Sequence, residues 1–183
     1  MWSILNGTPV HVDDKGKTYF VFPTVSPGVN YLTRPVSGLP AGVSFVSIAY
    51  TITATGAPIF NYRTNSNNTC GPGFPGTVRL FIQRAGDDFS GAGQFQQYRY
   101  WSTRAVQELA PGSYALRAMI DPAQWTDIYA KPGSDYPERF RQALQNAARV
   151  GITFGGGCFY GHGVFNADSN STARFTIDAF SVE

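Results

Sequence analysis

The feature of this sequence that most constrains its fold is a series of short segments in which apolar and polar residues alternate. The longest of these segments is Val43–Ala54. Successive side chains of a strand point to opposite faces, so alternation places the apolar residues on one face. Those residues are Val46, Ile48, Tyr50 and Ile52. The pattern predicts a long strand with one buried face.

Further segments of the same kind follow along the chain and predict a protein built of many strands. They are Tyr19–Phe22, Val78–Gln83, Phe95–Trp101, Ser113–Ile120, Val150–Phe154 and Arg174–Val182. Strands that are not separated by helices each time favour an antiparallel β-sandwich or jelly roll over a βαβ fold. A chain of 183 residues suits one hydrophobic core. We therefore expect an all-β fold with a single β-sandwich domain over residues 1–183.

One segment departs from the strand pattern and predicts a short helix. Asp135, Pro137 and Glu138 form a helix-start signature, with proline in the first turn. An apolar stripe at helical spacing follows, formed by Phe140, Leu144, Ala147 and Ala148. Gly151 stands where a glycine would end the helix. The prediction is one helix over Pro137–Arg149.

Composition and charge exclude some function classes. The chain has 14 Lys and Arg against 12 Asp and Glu, with no basic run, which is not the pattern of a nucleic-acid-binding protein. No apolar stretch approaches the roughly 18 residues of a membrane-spanning helix.

The first residues lack a signal-peptide pattern. We nevertheless expect a secreted or periplasmic protein, because a surface rich in Ser, Thr, Asn, Gly and Tyr is common in exported β domains.

The two cysteines leave two alternatives. Cys70 and Cys158 have no metal-binding spacing. They form one disulfide, or they are two unlinked thiols, and pairing would require both an oxidising compartment and adjacency in the fold.

Alternation also predicts a candidate binding face. If the strands around residues 78–120 are neighbours, one face carries polar and aromatic side chains together: Arg79, Gln83, Gln97, Arg99, Trp101 and Arg117. Sugar rings stack on aromatic side chains, while Arg and Gln hydrogen-bond to hydroxyls and carboxylates. The three arginines favour an acidic glycan. The alternative is that the helix or a loop covers this face and that the arginines pair with Asp121 and Glu138.

A glycine-rich stretch near the C-terminus contains two further candidates. Tyr160 and His162 lie within Gly155–Val164. Glycines permit close backbone approach, so both side chains are candidates for ligand contact, and His162 for acid/base work. The alternative is that His162 only satisfies backbone groups at a strand bend.

Carboxylates suggest one candidate metal site. Asp87 and Asp88 lie in a glycine-rich loop and Asp178 lies in the last strand, and carboxylate oxygens are ligands that Ca²⁺ prefers. With only His11 and His162, a three-histidine metal centre cannot form from one chain. We expect that the protein requires no cofactor. The candidate ion is a structural calcium.

The chain resembles galactose-binding-like jelly-roll β-sandwiches, a group that includes many carbohydrate-binding modules. The resemblance lies in the Val78–Trp101 hairpin, the glycine-rich segment and the final strand Ala173–Phe180 with its Asp178. Gly155–Val164 is also similar to a stretch of uncharacterised bacterial proteins. The resemblance implies lectin-like, non-catalytic binding of a polysaccharide or other glycan.

Two other function classes stay open from the sequence. Tyr129, Lys131 and Gly133 loosely resemble a motif of jelly-roll polysaccharide lyases, whose Gln-x-His element is absent. A lyase or hydrolase would use His162, Tyr160, Arg99 and Arg117 around a cleft, with proton transfer by Tyr or His. A structural or assembly protein would instead bury its aromatic patches against other subunits, as in a homo-oligomer.

Overall fold

The computed structural model of the chain describes residues 1–5, 7–63 and 74–183. Within these ranges the chain forms thirteen strands, one α-helix and three short 3-10 helices. The strands are β1 (Ser3–Ile4), β2 (His11–Val12), β3 (Thr18–Val21), β4 (Tyr31–Pro35), β5 (Phe45–Thr55), β6 (Phe60–Tyr62), β7 (Thr77–Arg84), β8 (Arg99–Glu108), β9 (Gly112–Met119), β10 (Trp125–Thr126), β11 (Ala147–Gly155), β12 (Val164–Asn166) and β13 (Thr172–Val182), and the helix is α1 (Pro137–Gln145).

Two antiparallel sheets make up most of the fold, which confirms the prediction of an all-β sandwich. One sheet has six strands in the order β1-β4-β11-β7-β8-β10, and the other has five in the order β2-β3-β13-β5-β9. Strands β6 and β12 form a separate antiparallel pair.

The main core lies between the two sheets, where strand alternation buries one face of each. From β5, the predicted residues Val46, Ile48, Tyr50 and Ile52 are all buried. They belong to the same apolar cluster as Leu80 of the six-stranded sheet. Full burial of a large apolar side chain contributes about 1.5–3 kcal/mol to the free energy of unfolding, so these buried rows stabilise the packing of the two sheets.

The predicted helix is present but shorter than Pro137–Arg149. It ends at Gln145, and Ala147–Arg149 instead begin β11, which pairs with β7. Gly151 does not end the helix. It lies within β11, where an added Cβ would overlap the carbonyl oxygen of Leu32 on β4, so glycine permits this close strand pairing.

Two other expectations differ from the structure or fall outside it. In the predicted strand Phe95–Trp101, the first residues form a 3-10 turn and the strand begins at Arg99. Residues 64–73, which include Cys70, lie outside the described residues. The pairing of Cys70 with Cys158 therefore stays a prediction. No helix among the described residues is long and apolar enough to cross a membrane.

Candidate functional site

The outer face of the six-stranded sheet carries a second, smaller apolar cluster. Alternate residues of β4, β7 and β8 point away from the main core, which brings Tyr31, Phe81 and Trp101 together. All three are buried, with Trp101 only 4% exposed. They are buried because Phe89, Ile128 and Tyr160 pack against them from the loops that follow β7, β10 and β11. We call this set the outer cluster.

The strand register arranges the outward residues of this face in three rows. The first row contains Arg149, Gln83 and Arg99, and the second contains Thr33, Gly151, Phe81 and Trp101. The third row contains Tyr31, Thr153 and Arg79. Directly opposed side chains in antiparallel strands lie close enough to interact, so each row is a line of contacts across the sheet.

The structure brings together only part of the predicted binding set. Arg79, Gln83, Arg99 and Trp101 share this face because β7 and β8 are neighbours. Gln97 is buried in the 3-10 turn just before β8. The condition that the strands around residues 78–120 are neighbours holds for β7 and β8 but not for β9.

Arg117 therefore lies on the opposite sheet. After β8 the chain crosses to the five-stranded sheet, where β9 pairs with β5. There the guanidinium carbon of Arg117 lies 3.6 Å from the ring centroid of Phe45. An Nη atom of the same group lies 3.7 Å from a carboxylate oxygen of Glu183. Arg117 cannot contribute to a site on the six-stranded sheet.

A buried ion pair organises the loop after β7. Arg99 donates from Nε to Asp87 Oδ2 at 2.7 Å and from Nη2 to Oδ1 at 3.0 Å. Asp87 also accepts hydrogen bonds from Gln83 Nε2 at 2.9 Å and from the backbone N–H of Phe89 at 3.0 Å. The side chains of Asp87 and Arg99 are only 1% and 12% exposed. The carboxylate is thus fully engaged in holding the loop against the sheet.

This loop presents Phe89 in an uncommon backbone conformation. Its φ of 63° lies in the left-handed region, which glycine adopts more readily than phenylalanine. The ring lies 4.9 Å from that of Tyr31 and covers the Arg99 guanidinium at 4.5 Å. Such strained residues cluster at ligand-binding sites, where the surrounding structure enforces the conformation.

A cleft of about 160 Å³ opens beside Phe89. Its lining combines aromatic, aliphatic and hydrogen-bonding groups: Ser3, Ile4, Leu5, Tyr31, Thr33, Gln83, Phe89 and Arg149. Arg149 is exposed and supplies the cation, with Nη1 at 3.2 Å from Ser3 Oγ and 3.4 Å from Thr33 Oγ1. Burial raises the pKa of Tyr31 to about 12, so its phenol remains protonated in the cleft wall.

On the other side of the outer cluster, Tyr160 covers Arg79. The guanidinium carbon lies 4.2 Å from the ring centroid of Tyr160, and Nη1 donates to the Ser102 carbonyl at 3.1 Å. Burial lowers the pKa of Arg79. Three buried polar atoms in this region have no hydrogen-bond partner among the described residues: Arg79 Nε, Trp101 Nε1 and Thr153 Oγ1.

His162 lies two residues beyond Tyr160 but makes different contacts. The residue is exposed, and its ring centroid lies 4.7 Å from that of Phe159. Partial desolvation of the imidazole, together with the positive charge of Arg63, lowers the pKa of His162. The structure therefore places His162 beside Phe159 and near the charge of Arg63, and not beside Arg99.

The three carboxylates predicted for calcium do not lie together. Asp87 binds Arg99, and Asp88 accepts the backbone N–H of Ser90 at 2.9 Å. Asp178 lies on β13 of the opposite sheet, where Lys17 Nζ and Thr51 Oγ1 donate to it at 2.6 and 2.7 Å. Among residues 1–5, 7–63 and 74–183, no group of three or more His, Cys, Asp or Glu side chains could hold a metal ion.

Of the residues that line the cleft, Gln83 was identified from the sequence as a binding candidate and the others were missed. Arg149 was assigned to the helix, so its place in the outward series of β11 was not recognised. Phe89 carried a usable signal, because a large aromatic residue in an otherwise polar, glycine-rich loop needs a packing partner. Ser3 and Thr33 lie on strands that the alternation pattern did not identify.

No family model matches the sequence, and a comparison with curated proteins gives no significant match. The function is therefore inferred from the geometry of the face itself.

Proposed function

We propose that the protein binds glycans, without chemical turnover, on the outer face of its six-stranded sheet. The observation that carries this proposal is the cleft beside Phe89, where an aromatic ring stands next to hydrogen-bonding groups of Arg149, Thr33 and Ser3. Sugars present apolar C–H faces and hydroxyls together, so they need both kinds of contact in one site.

The size of the cleft supports a small sugar unit as the ligand. A volume of about 160 Å³ is below the roughly 300–1,000 Å³ of pockets that enclose drug-sized molecules. The cleft accommodates one residue of a longer chain, and the rest of the polymer would extend over the surface. This supports binding of a polysaccharide in the manner of the jelly-roll carbohydrate-binding modules that the sequence resembles.

The residues considered for catalysis do not form one centre. Arg99 is engaged by Asp87, Arg117 lies on the opposite sheet, and His162 contacts Phe159. This arrangement favours binding over a lyase or hydrolase reaction, which needs its proton-transfer and charge-stabilising groups within hydrogen-bond reach of one substrate.

Affinity electrophoresis through gels containing neutral or acidic polysaccharides tests the proposal. We expect retardation of the protein without new reducing ends or new ultraviolet absorbance. Repeating the run with a chelator tests the predicted calcium ion: weaker retardation would support the ion, and unchanged retardation would count against it. New chain ends would overturn the non-catalytic assignment, and absence of retardation across the panel would favour an assembly protein.

A matched pair of arginine variants locates the site. Arg149→Gln should weaken binding about tenfold to a hundredfold, since a hydrogen bond to a charged group contributes about 1.5–3 kcal/mol. Arg117→Gln removes another exposed arginine, from the opposite sheet, and should leave binding unchanged. The reverse result would move the binding surface to the five-stranded sheet.

A further inference from the structure

The region beneath Tyr160 contains an unusual concentration of unpaired hydrogen-bond donors. Trp101 is 4% exposed and Thr153 is fully buried, yet neither the indole N–H nor the hydroxyl has a partner among the described residues. Arg79 Nε is also buried without a hydrogen-bond partner among the described residues. A buried polar group without a partner is destabilising by about 1–3 kcal/mol, so three in one region call for a physical reason.

The strand register places two of these groups directly opposite each other and the third in the neighbouring row. Thr153 on β11 is directly opposite Arg79 on β7. Trp101 on β8 is opposite Phe81, which lies two residues beyond Arg79 on the same face of the sheet. The ring of Tyr160 contacts both neighbours, at 4.2 Å from the Arg79 guanidinium carbon and at 6.1 Å from the Trp101 ring.

The chemistry of the three groups specifies their ligand. An arginine Nε–H and an indole N–H can only donate, and a threonine hydroxyl can donate as well. Their complement is a group that only accepts and carries negative charge, such as a carboxylate. The guanidinium adds the opposite charge, and the aromatic walls exclude water, which strengthens the interaction.

Tyr160, on a glycine-rich loop, is the side chain that contacts both Arg79 and Trp101 from outside the sheet. Tyr160 is partly exposed and lies between Gly156 and Gly163, in a segment that an isolated bridge between Gly156 and Phe159 closes. A Cβ at Gly161 would overlap the Tyr31 hydroxyl, so this loop lies close against Tyr31, which also lines the cleft. The covered region and the cleft are therefore parts of one continuous surface.

We propose that Arg79, Trp101 and Thr153 form a carboxylate-binding pocket beneath Tyr160, and that Tyr160 moves aside when an acidic sugar binds. This inference rests on the proposed glycan function and names its substrate class: a glycan that contains uronic acid residues. The acidic sugar occupies the pocket, while its neighbour in the chain occupies the cleft beside Phe89.

Titration with glucuronate and with glucose, followed by tryptophan fluorescence, tests the pocket. Because Trp101 lies in the pocket, glucuronate should change its emission, whereas glucose should produce little change at the same concentration. Trp101→Phe should remove the fluorescence response. Equal responses to both sugars would overturn the carboxylate assignment.

Thr153→Val separates a binding role from a structural one. Valine has nearly the same shape and lacks the hydroxyl, so removal of an unpaired buried group should raise Tm. Glucuronate affinity should nevertheless fall about tenfold. Unchanged affinity would overturn the role of Thr153, and a lower Tm would show that the hydroxyl has a structural partner.

Tyr160→Ala tests the cover. Association of glucuronate should become faster while binding is retained, and loss of binding would show that Tyr160 is a contact and not a cover. Arg149→Gln distinguishes this proposal from the broader one. If glucuronate still binds to that variant but polysaccharide does not, both proposals stand. If polysaccharide binds irrespective of its uronic acid content, glycan binding stands and the pocket assignment fails.

Discussion

Loss of the Asp87 carboxylate should destabilise the protein strongly, because its partner Arg99 would remain buried without a counter-charge. The two side chains are 1% and 12% exposed and are joined by two hydrogen bonds of 2.7 and 3.0 Å. Removal of one member of a buried ion pair is destabilising by about 3–5 kcal/mol. In a chain of 183 residues, 1 kcal/mol corresponds to about 2–4 °C in Tm. Asp87→Ala should therefore lower Tm by about 6–20 °C.

The helix offers a matched control with the same chemistry and different burial. Arg141 also donates through two guanidinium nitrogens to the carboxylate of Glu138, but these side chains are 55% and 60% exposed. Solvent screens such a pair, so Glu138→Ala should change Tm far less than Asp87→Ala does. Differential scanning calorimetry of both variants measures the difference.

Two results would refute this reasoning. Equal shifts in Tm for Asp87→Ala and Glu138→Ala would show that burial does not determine the strength of the pair. The double variant Asp87→Leu/Arg99→Met should be more stable than Asp87→Ala, because it leaves no buried charge without a partner. A double variant less stable than Asp87→Ala would show that contacts other than the charge dominate.

Three further changes have defined outcomes. Gly151→Ala should destabilise the protein by about 1–3 kcal/mol, measured by urea unfolding, because the new methyl group overlaps the Leu32 carbonyl oxygen; a neutral result would mean that β4 and β11 can separate freely. Ala130→Gly should raise Tm by about 2–4 °C, because φ of 58° is unfavourable for alanine, and a lower Tm would contradict this. His162 should titrate below 6.5 in an NMR pH series, and Arg63→Gln should raise its pKa by removing a positive neighbour. The pKa of His162 is lower in the folded state than in the unfolded state, so the unfolded state takes up a proton first as the pH falls. The free energy of unfolding should therefore decrease as the pH falls from about 6.5 through the folded pKa. A histidine that titrates above 6.5 would refute this prediction.

Alternation predicted the main strands because each sheet buries one face. Burial of one face requires apolar residues at every second position, and this pattern is visible within each short segment of the sequence. The outward positions Arg79, Gln83, Arg99 and Trp101 followed from the same rule. The position of Arg117 did not, because the choice between continuing one sheet and crossing to the other depends on long-range packing. The alternation pattern within a strand does not indicate which of the two sheets the strand joins.

The end of the helix was mispredicted for a related reason. Ala147 and Ala148 fit the apolar stripe of a helix, and alanine has high helix propensity. Pairing of Ala147 with Arg84 nevertheless begins β11 at that point. Tertiary hydrogen bonding between strands overrode the local preference, and the error concealed the place of Arg149 in the cleft.

The two outer faces of the sandwich differ in whether their polar groups are hydrated or buried. On the five-stranded sheet, Lys17 pairs with Asp178 at the surface, where water hydrates both charges. On the six-stranded sheet, an ion pair and three unpaired polar atoms are buried, and Phe89 has a strained backbone. Strain and unpaired groups are each destabilising by about 1–3 kcal/mol, against a total stability of about 5–15 kcal/mol for a typical domain. Apolar residues at the same positions would avoid this loss. The concentration of such unfavourable features on one face, beside a cleft and near Tyr160, supports the proposal that a ligand satisfies them.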